Sequence, residues 1–333
     1  MTLARTDSAD SGATGLAVLI DSELNSLVET YRDRHPASLY GAVSHAIASG
    51  GKRLRPRLLC LVGRALGAPI EHLIPAAAAI EVFHNFTLVH DDIMDNAPTR
   101  RGRPTVHEKW DSPTAILAGD LLLGVAYDLV SRSRPEVLPV LMRIFGSMVV
   151  KLCEGQALDM EFEQRTDVSL AEYLEMIDGK TGALLDCCFR MAGVIADSEE
   201  PTIERLGSAG RAIGRAFQIQ DDLLDLVSED PKWGKQQGGD MIEGKKAYLL
   251  LAALESEDPS VRTWFQPVAE SGLDPARVAE ALELLSGSGV LAAARSEVTS
   301  YSSQALEALD ILPDSDYSSE LRQFVVQLRD RAF

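Results

Sequence analysis

Lysine is what this chain does largely without: only Lys52, Lys109, Lys151, Lys180, Lys232, Lys235, Lys245 and Lys246 stand among its 32 basic residues. Arginine serves wherever a generic cation will do, so the positions that keep lysine are worth locating. Cysteine is equally sparse. Cys60, Cys153, Cys187 and Cys188 show no metal-type spacing, and the adjacent pair is ill suited to bridging itself, so a reduced, cytoplasmic protein is expected. Positive charge is short overall: a net charge of −18 excludes a general nucleic-acid binder, which needs a basic surface. Such acidity suits a salt-rich cytoplasm, where screening weakens self-repulsion. It predicts a higher melting temperature in molar KCl than in dilute buffer; greater stability without salt would rule that out. Long apolar runs are also missing, none approaching the ~18 residues of a membrane span. "MTLARTDSADSGATG" lacks the basic start and apolar follow-on of a signal peptide, so residues 1–14 are expected to form a disordered leader.

Strand signals are scarce too. Long Ala/Leu-rich segments carry helical spacing, and 46% hydrophobic content in 333 residues supports a large core without staples. Val82, Phe86, Val89 and Ile93 mark one apolar stripe, and Ile213, Phe217, Leu224 and Val227 another. Further helices are predicted over 17–33, 37–49, 56–66, 113–131, 136–163, 169–195, 245–256, 275–286, 288–309 and 317–331. No linker or repeat divides the chain. The expectation is all-α: a single helical bundle domain over 15–333. "SEDPKWGKQQGGD", 228–240, is the clearest loop of the second half.

Two acidic clusters stand on the striped helices. Asp91 and Asp95 align at i and i+4 with Asp92 beside them; Gln218, Asp221, Asp222 and Asp225 form a polar stripe at offsets 0, 3, 4 and 7. One such cluster alone reads better as a solvated acidic face. Two, on otherwise apolar helices, point to a cation between like charges. Magnesium takes oxygen ligands and bridges one or two carboxylates to substrate phosphates.

Phosphate chemistry also needs cations, and they are present. "GGKRLRPRLL" joins two glycines and four basic residues to a Pro-started helix, Arg100 and Arg101 follow the first cluster, and Lys180, Thr181, Lys235 and Lys245 lie in Gly-flanked spots. "GKT" at 179–181 is not a P-loop, because Leu174 occupies a required glycine position, and no serine sits in a G-x-S-x-G elbow. His84 taken alone reads as a hydrogen-bonded core histidine.

Together, "GGKRLRP", "HNFTLVHDDIMDNAPTRRGRPT", "LAGDLLL", "GKTGAL", "FQIQDDLLD" and "GKQQGGDMIEGK" resemble the trans-isoprenyl diphosphate synthases, or polyprenyl synthetases, over roughly residues 40–250. The resemblance implies an all-α isoprenoid-synthase bundle with a central cavity, usually a homodimer, without a membrane span. It implies head-to-tail condensation of isopentenyl diphosphate with an allylic diphosphate by ionisation, condensation and elimination. Three magnesium ions would be held by carboxylates among Asp91, Asp92, Asp95, Asp221, Asp222 and Asp225, Asp92 contributing less directly. Arg100, Lys180, Thr181, Gln218 and Lys235 would hold the allylic diphosphate, and Lys52, Arg55, His84 and Arg101 the isopentenyl diphosphate. Lys245 is the last cation carried over, although Lys246-Ala247-Tyr248-Leu249 departs from the family's usual Thr and Leu-Pro after "EGK".

In that family, bulk four and five residues before the first motif aspartate sets product length. Thr87 and Phe86 stand there, which points to C20 geranylgeranyl diphosphate, with C15 farnesyl diphosphate next. Ordinary core packing remains the other reading of Phe86. Two rival functions are a terpene cyclase or head-to-head prenyl coupler, and a non-catalytic subunit of a partner synthase. "GGKRLRP" opposes the first, since a cyclase has no isopentenyl diphosphate to hold, and two intact aspartate motifs oppose the second.

Overall fold

The computed structural model describes residues 13–228 and 236–330, with Ala13 and Thr14 by backbone alone. Of the leader expected over 1–14, residues 1–12 lie outside the described residues, as do Lys232 and Lys235, whereas Ala13 and Thr14 belong to the first helix. In chain order the helices are α1 (Ala13–Tyr31), α2 (Ala37–Ile47), α3 (Leu54–Ala65), α4 (Ile70–Met94), α5 (Val106–Lys109), α6 (Ser112–Ser131), α7 (Leu138–Glu163) and α8 (Leu170–Ile177). Then follow α9 (Ala183–Ile195), α10 (Glu200–Val227), α11 (Gly239–Ile242), α12 (Tyr248–Leu254), α13 (Pro259–Ser271), α14 (Val278–Gly287), α15 (Val290–Ala308) and α16 (Asp316–Arg329). The fold is all-α, as the apolar spacing predicts.

The chain divides into two compact units. The first comprises the chain through Phe145, Cys188–Ile203 and Leu312–Leu321; the second comprises Gly146–Cys187, Glu204–Ile311 and the chain from Arg322. In the first, α4 lies against α6, α3, α1 and α2, which explains why Ala76 to Phe83, Glu81 included, are buried without a break. In the second, α12 contacts α13, α15 and α8. Local signals start several helices: Asp111 accepts a hydrogen bond from the Thr114 amide, and Ser169 and Glu172 close a capping box on α8.

Four expectations need correction. α13 falls outside the predicted helices, in a segment that contains Pro259 and Pro267. Pro259 in fact occupies the first turn, where its missing N–H costs nothing, and the helix runs on through Pro267. The helix expected over 169–195 is interrupted by a π-helical turn at Asp178–Gly182. A two-residue hairpin, β1 (Thr99–Arg100) with β2 (Arg103–Pro104), forms where only loop was expected. Finally, α4 and α6 do reach the length and mean hydropathy of a membrane span. For α4 the reason is packing on several sides, which makes a helix apolar all round: 72% of its most apolar window is buried, against 44% for α6.

Candidate active site: two sets of carboxylates with their cations

In the first unit the Gly-rich loop turns sharply into α3. Gly50 (φ 73°), Gly51 (φ 140°) and Arg53 (φ 47°) all have positive φ. Glycine adopts this backbone freely, whereas a residue with a side chain gives up about 1–3 kcal/mol in such regions. Arg53 tolerates it because its guanidinium is locked in place. Nη1 donates to Glu81 Oε1 at 2.6 Å and Nε donates to Asp21 Oδ1 at 3.0 Å. Arg53 is thus a buried cation between exposed Lys52 and partly exposed Arg55.

Arg55 Nη1 donates to His84 Nε2 at 3.2 Å. A ring nitrogen that accepts carries no proton, so His84 is neutral with its hydrogen on Nδ1. Burial, then the positive field of Arg55, Arg101, Arg100 and Arg53, hold this imidazole well below its ordinary value. His84 is thus a partly buried, hydrogen-bonded histidine, as its residue type alone suggests, and it is neutral among arginines. The linkage has a definite sign. A depressed folded value means the unfolded chain binds the extra proton first, so stability is full above about pH 6.5 and falls as the pH drops below it. The slope is up to about 1.4 kcal/mol per pH unit. Urea unfolding at pH 7.5, 6.0 and 5.0 should show this slope in the native protein and a flatter one in His84→Gln; parallel slopes would refute it.

The hairpin brings the next two arginines to the same region. Arg101 (φ 52°) and Gly102 (φ 73°) are its central residues, the left-handed pair that a tight hairpin requires. Arg101 donates to the Gly50 carbonyl, and a Cβ on Gly51 would lie 2.6 Å from Arg101 Nη1, so that glycine permits the approach. Arg100 Nε donates to Asp92 Oδ1 at 2.5 Å. Asp92 is buried, with burial raising its pKa against the pull of Arg100. Asp91 is partly exposed and Asp95 exposed. The three aspartates therefore differ in exposure, and the buried middle one anchors an arginine.

In the second unit, the π-helical turn carries Lys180 and Thr181. Its extra residue bulges the chain, a device frequent at functional sites. Two glycines let it lie against α7: a Cβ on Gly155 would fall 2.3 Å from the Lys180 backbone nitrogen, and one on Gly179 would fall 2.7 Å from the Lys151 carbonyl oxygen. Arg215 grips the turn through a two-pronged ion pair with Asp178. Lys180 Nζ is paired with Asp159, and Thr181 Oγ1 lies 3.1 Å from Gln218 Oε1, to which it donates. Gly155→Ala should push the turn away, lowering stability by about 1–3 kcal/mol and slowing any reaction that uses Lys180 and Thr181. Thermal unfolding and initial rates would check both; a variant with neither change would show the contact to be slack.

Gln218 Nε2 donates onward to Asp222 Oδ1 at 3.1 Å, and Asp222 Oδ2 accepts from Tyr173 Oη at 2.7 Å and the Tyr248 amide at 2.8 Å. Burial and the charge of Asp240 lift this carboxyl to about 7, while its hydrogen bonds oppose the rise. Asp225 is buried and accepts from the Asp240 amide at 3.0 Å; Asp221 is partly exposed. Lys245 is half exposed and pairs with Glu243 at 2.8 Å, whereas its neighbour Lys246 is buried and donates to the Gly244 and Ala269 carbonyls.

Both clusters offer hard oxygen donors. Among the described residues no three His, Cys, Asp or Glu side chains converge as a ready-made metal cage. Magnesium asks for less, one or two carboxylates completed by phosphate oxygens and water, so Asp91 and Asp95 in one unit and Asp221 in the other fit it.

Residues 36–285 match the polyprenyl synthetase family. The chain belongs to that family. It is 40% identical over 289 residues to the short chain isoprenyl diphosphate synthase of Methanothermobacter thermautotrophicus, covering 86% of this chain and 89% of that one. Identity to the geranylgeranyl diphosphate synthase of Methanosarcina mazei is 35% over 316 residues, 94% and 95% of the two chains. Among solved structures, the geranylgeranyl pyrophosphate synthetase of Pyrococcus horikoshii superposes with a TM-score of 0.87 at 39% identity, over 95% and 96% of the chains.

Within this synthetase, sequence reasoning missed three groups beside the expected ones. Asp159 pairs with Lys180, Glu81 with Arg53, and Tyr173 with Asp222. None lies in a recognisable motif. Glu81, an acid within the longest apolar stretch of α4, carries the one signal that spacing could have flagged.

Proposed function

We propose that this polyprenyl synthetase condenses isopentenyl diphosphate with an allylic diphosphate, head to tail and trans, to C20 geranylgeranyl diphosphate, with C15 farnesyl diphosphate the next product. The carrying observation is the first unit's arginine set: Arg55, Arg100 and Arg101 around a neutral His84, with Arg100 paired to Asp92 of the first aspartate motif. A cyclase would have no second diphosphate to occupy it.

Lys52, Arg55, His84 and Arg101 hold isopentenyl diphosphate. A neutral His84 with its proton on Nδ1 is a donor that adds no further charge there. Arg100, Lys180, Thr181, Gln218 and Lys235 hold the allylic diphosphate, and Lys245 is a further cation of that set. Lys180 exchanges Asp159 for phosphate oxygens, and the chain Thr181–Gln218–Asp222–Tyr173 keeps the Gln218 amide in one orientation. Asp91 and Asp95 in one unit, and Asp221 in the other, would hold magnesium, about three ions, which would supply positive charge to stabilise the departing pyrophosphate. The isopentenyl double bond attacks that carbon, and the departing pyrophosphate accepts the proton then lost. Water has to be kept from the allylic cation, which it would quench. Lys180, Thr181 and Gln218 work on developing charge at the leaving group, where preorganised donors gain most.

The enzyme works as a cytoplasmic homodimer in this reading, which the exposed apolar side chains Ile116 and Leu117 of α6 support. The deciding experiment supplies purified protein with Mg²⁺, isopentenyl diphosphate and each of the C5, C10 and C15 allylic diphosphates, and reads products by mass spectrometry. Linear C20 product, abolished by EDTA, is expected. Cyclised or head-to-head products, or no product from any starter, would sink the proposal.

A further inference from the structure

Arg53 stands between two cations assigned to isopentenyl diphosphate, yet its own guanidinium turns inward. It is 8% exposed and meets Glu81 of α4 and Asp21 of α1, with weaker contacts to the Ile47 and Gly50 carbonyls at 3.4 Å. Its left-handed backbone immediately precedes α3, so it fixes the angle at which the chain enters that helix. Arg55 lies in the first turn beyond, and Lys52 just before. Glu81 is one helical turn from His84 on α4, the residue Arg55 contacts. The ion pair therefore ties the loop to the helix face that bears its partner. Glu81 also offsets the mutual repulsion of Arg53 and Arg101, whose charges oppose each other.

We propose that Arg53, held by Glu81 and Asp21, is a positioning residue for isopentenyl diphosphate: it sets the loop that presents Lys52 and Arg55, and through Asp21 it makes α1 part of that site. The inference rests on the substrate assignment above. It differs from a simple core ion pair in predicting an effect on one substrate alone.

The test uses the full chain with two variants. Arg53→Lys keeps the charge but loses the planar fork that engages two carboxylates. Asp21→Asn alters only the outer partner, half exposed, and so preserves the fold. Magnesium-free inorganic pyrophosphate is the binding probe, because without metal the aspartate clusters repel it and only the cations attract it. Asp21→Asn should weaken pyrophosphate binding and raise the isopentenyl diphosphate KM about 2- to 10-fold, the worth of one hydrogen bond. Arg53→Lys should do so by ~10-fold or more, since small misplacements near a reacting group reach 10²-fold. The allylic KM should stay unchanged in both, as should the melting temperature of Asp21→Asn. Unchanged pyrophosphate affinity and isopentenyl KM in both variants, or equal rises in both KM values, would overturn the proposal. Wild-type protein that binds pyrophosphate but condenses nothing would instead remove the substrate assignment, and the variants' pyrophosphate affinities would still decide the role of Arg53.

Discussion

Asp91→Ala and Asp221→Ala should each lower kcat by about 10²–10³-fold or more, the loss incurred when one group aimed at developing charge is removed. Both are expected to fold. Asp91 and Asp221 are partly exposed, and α4 and α10 carry them on helices whose cores lie elsewhere. Circular dichroism should therefore match the native protein while turnover collapses, and excess Mg²⁺ should restore little. The middle aspartates make the contrast. Asp92 accepts from Arg100, and Asp222 accepts from Tyr173, Tyr248 and Gln218, so alanine there strands buried donors and should register first as lost stability. Single-turnover rates with product mass spectrometry separate the cases. Loss of turnover in only one of Asp91→Ala and Asp221→Ala would remove the other cluster from the reaction.

What was legible in the sequence follows from what repeats within a helical turn. The i, i+4 spacing of Asp91 and Asp95 and the offsets of Gln218, Asp221, Asp222 and Asp225 are fixed by α-helix geometry alone, so they could be read directly. The same holds for the apolar stripe through Phe86. Three features were not legible because distant residues decide them. The π-helical turn at Asp178–Gly182 has no local signature, and the Gly155–Gly179 approach and the Arg215 clamp that stabilise it come from α7 and α10. Arg53 reads in sequence as one more cation of the "GGKRLRP" set; only Glu81 and Asp21, 28 and 32 residues away, turn it inward. The hairpin at Arg101-Gly102 lacks the Asn-Gly or Asp-Gly pair that usually announces such a turn, and the arginine accepts positive φ because the Gly50 carbonyl holds its side chain.

Phe86→Ala should shift the product beyond C20, and the size of its stability loss tells which role the ring plays. Phe86 precedes Asp91 by five residues, so it lies ~7.5 Å along α4 from the first motif carboxylate. Its ring is nearly buried, tilted against Phe83 at 5.3 Å and edge-on to His90 at 4.8 Å. Phe83 in turn meets Phe145, and Phe145 meets Tyr127, at 5.5 and 5.0 Å. This aromatic series packs against one side of Phe86. Thr87 adds no bulk, its hydroxyl donating to the His84 carbonyl at 2.9 Å. A ring buried in a closed core would cost about 3–5 kcal/mol when truncated. A ring whose front face bounds a substrate cavity loses fewer packing contacts and should cost less, because the space beyond it is already open. Products longer than C20, with a modest drop in melting temperature, are therefore expected; Thr87→Phe should act in the opposite sense and shorten the product. An unchanged product distribution with a full core-sized stability loss would assign Phe86 to packing and move the chain-length determinant elsewhere.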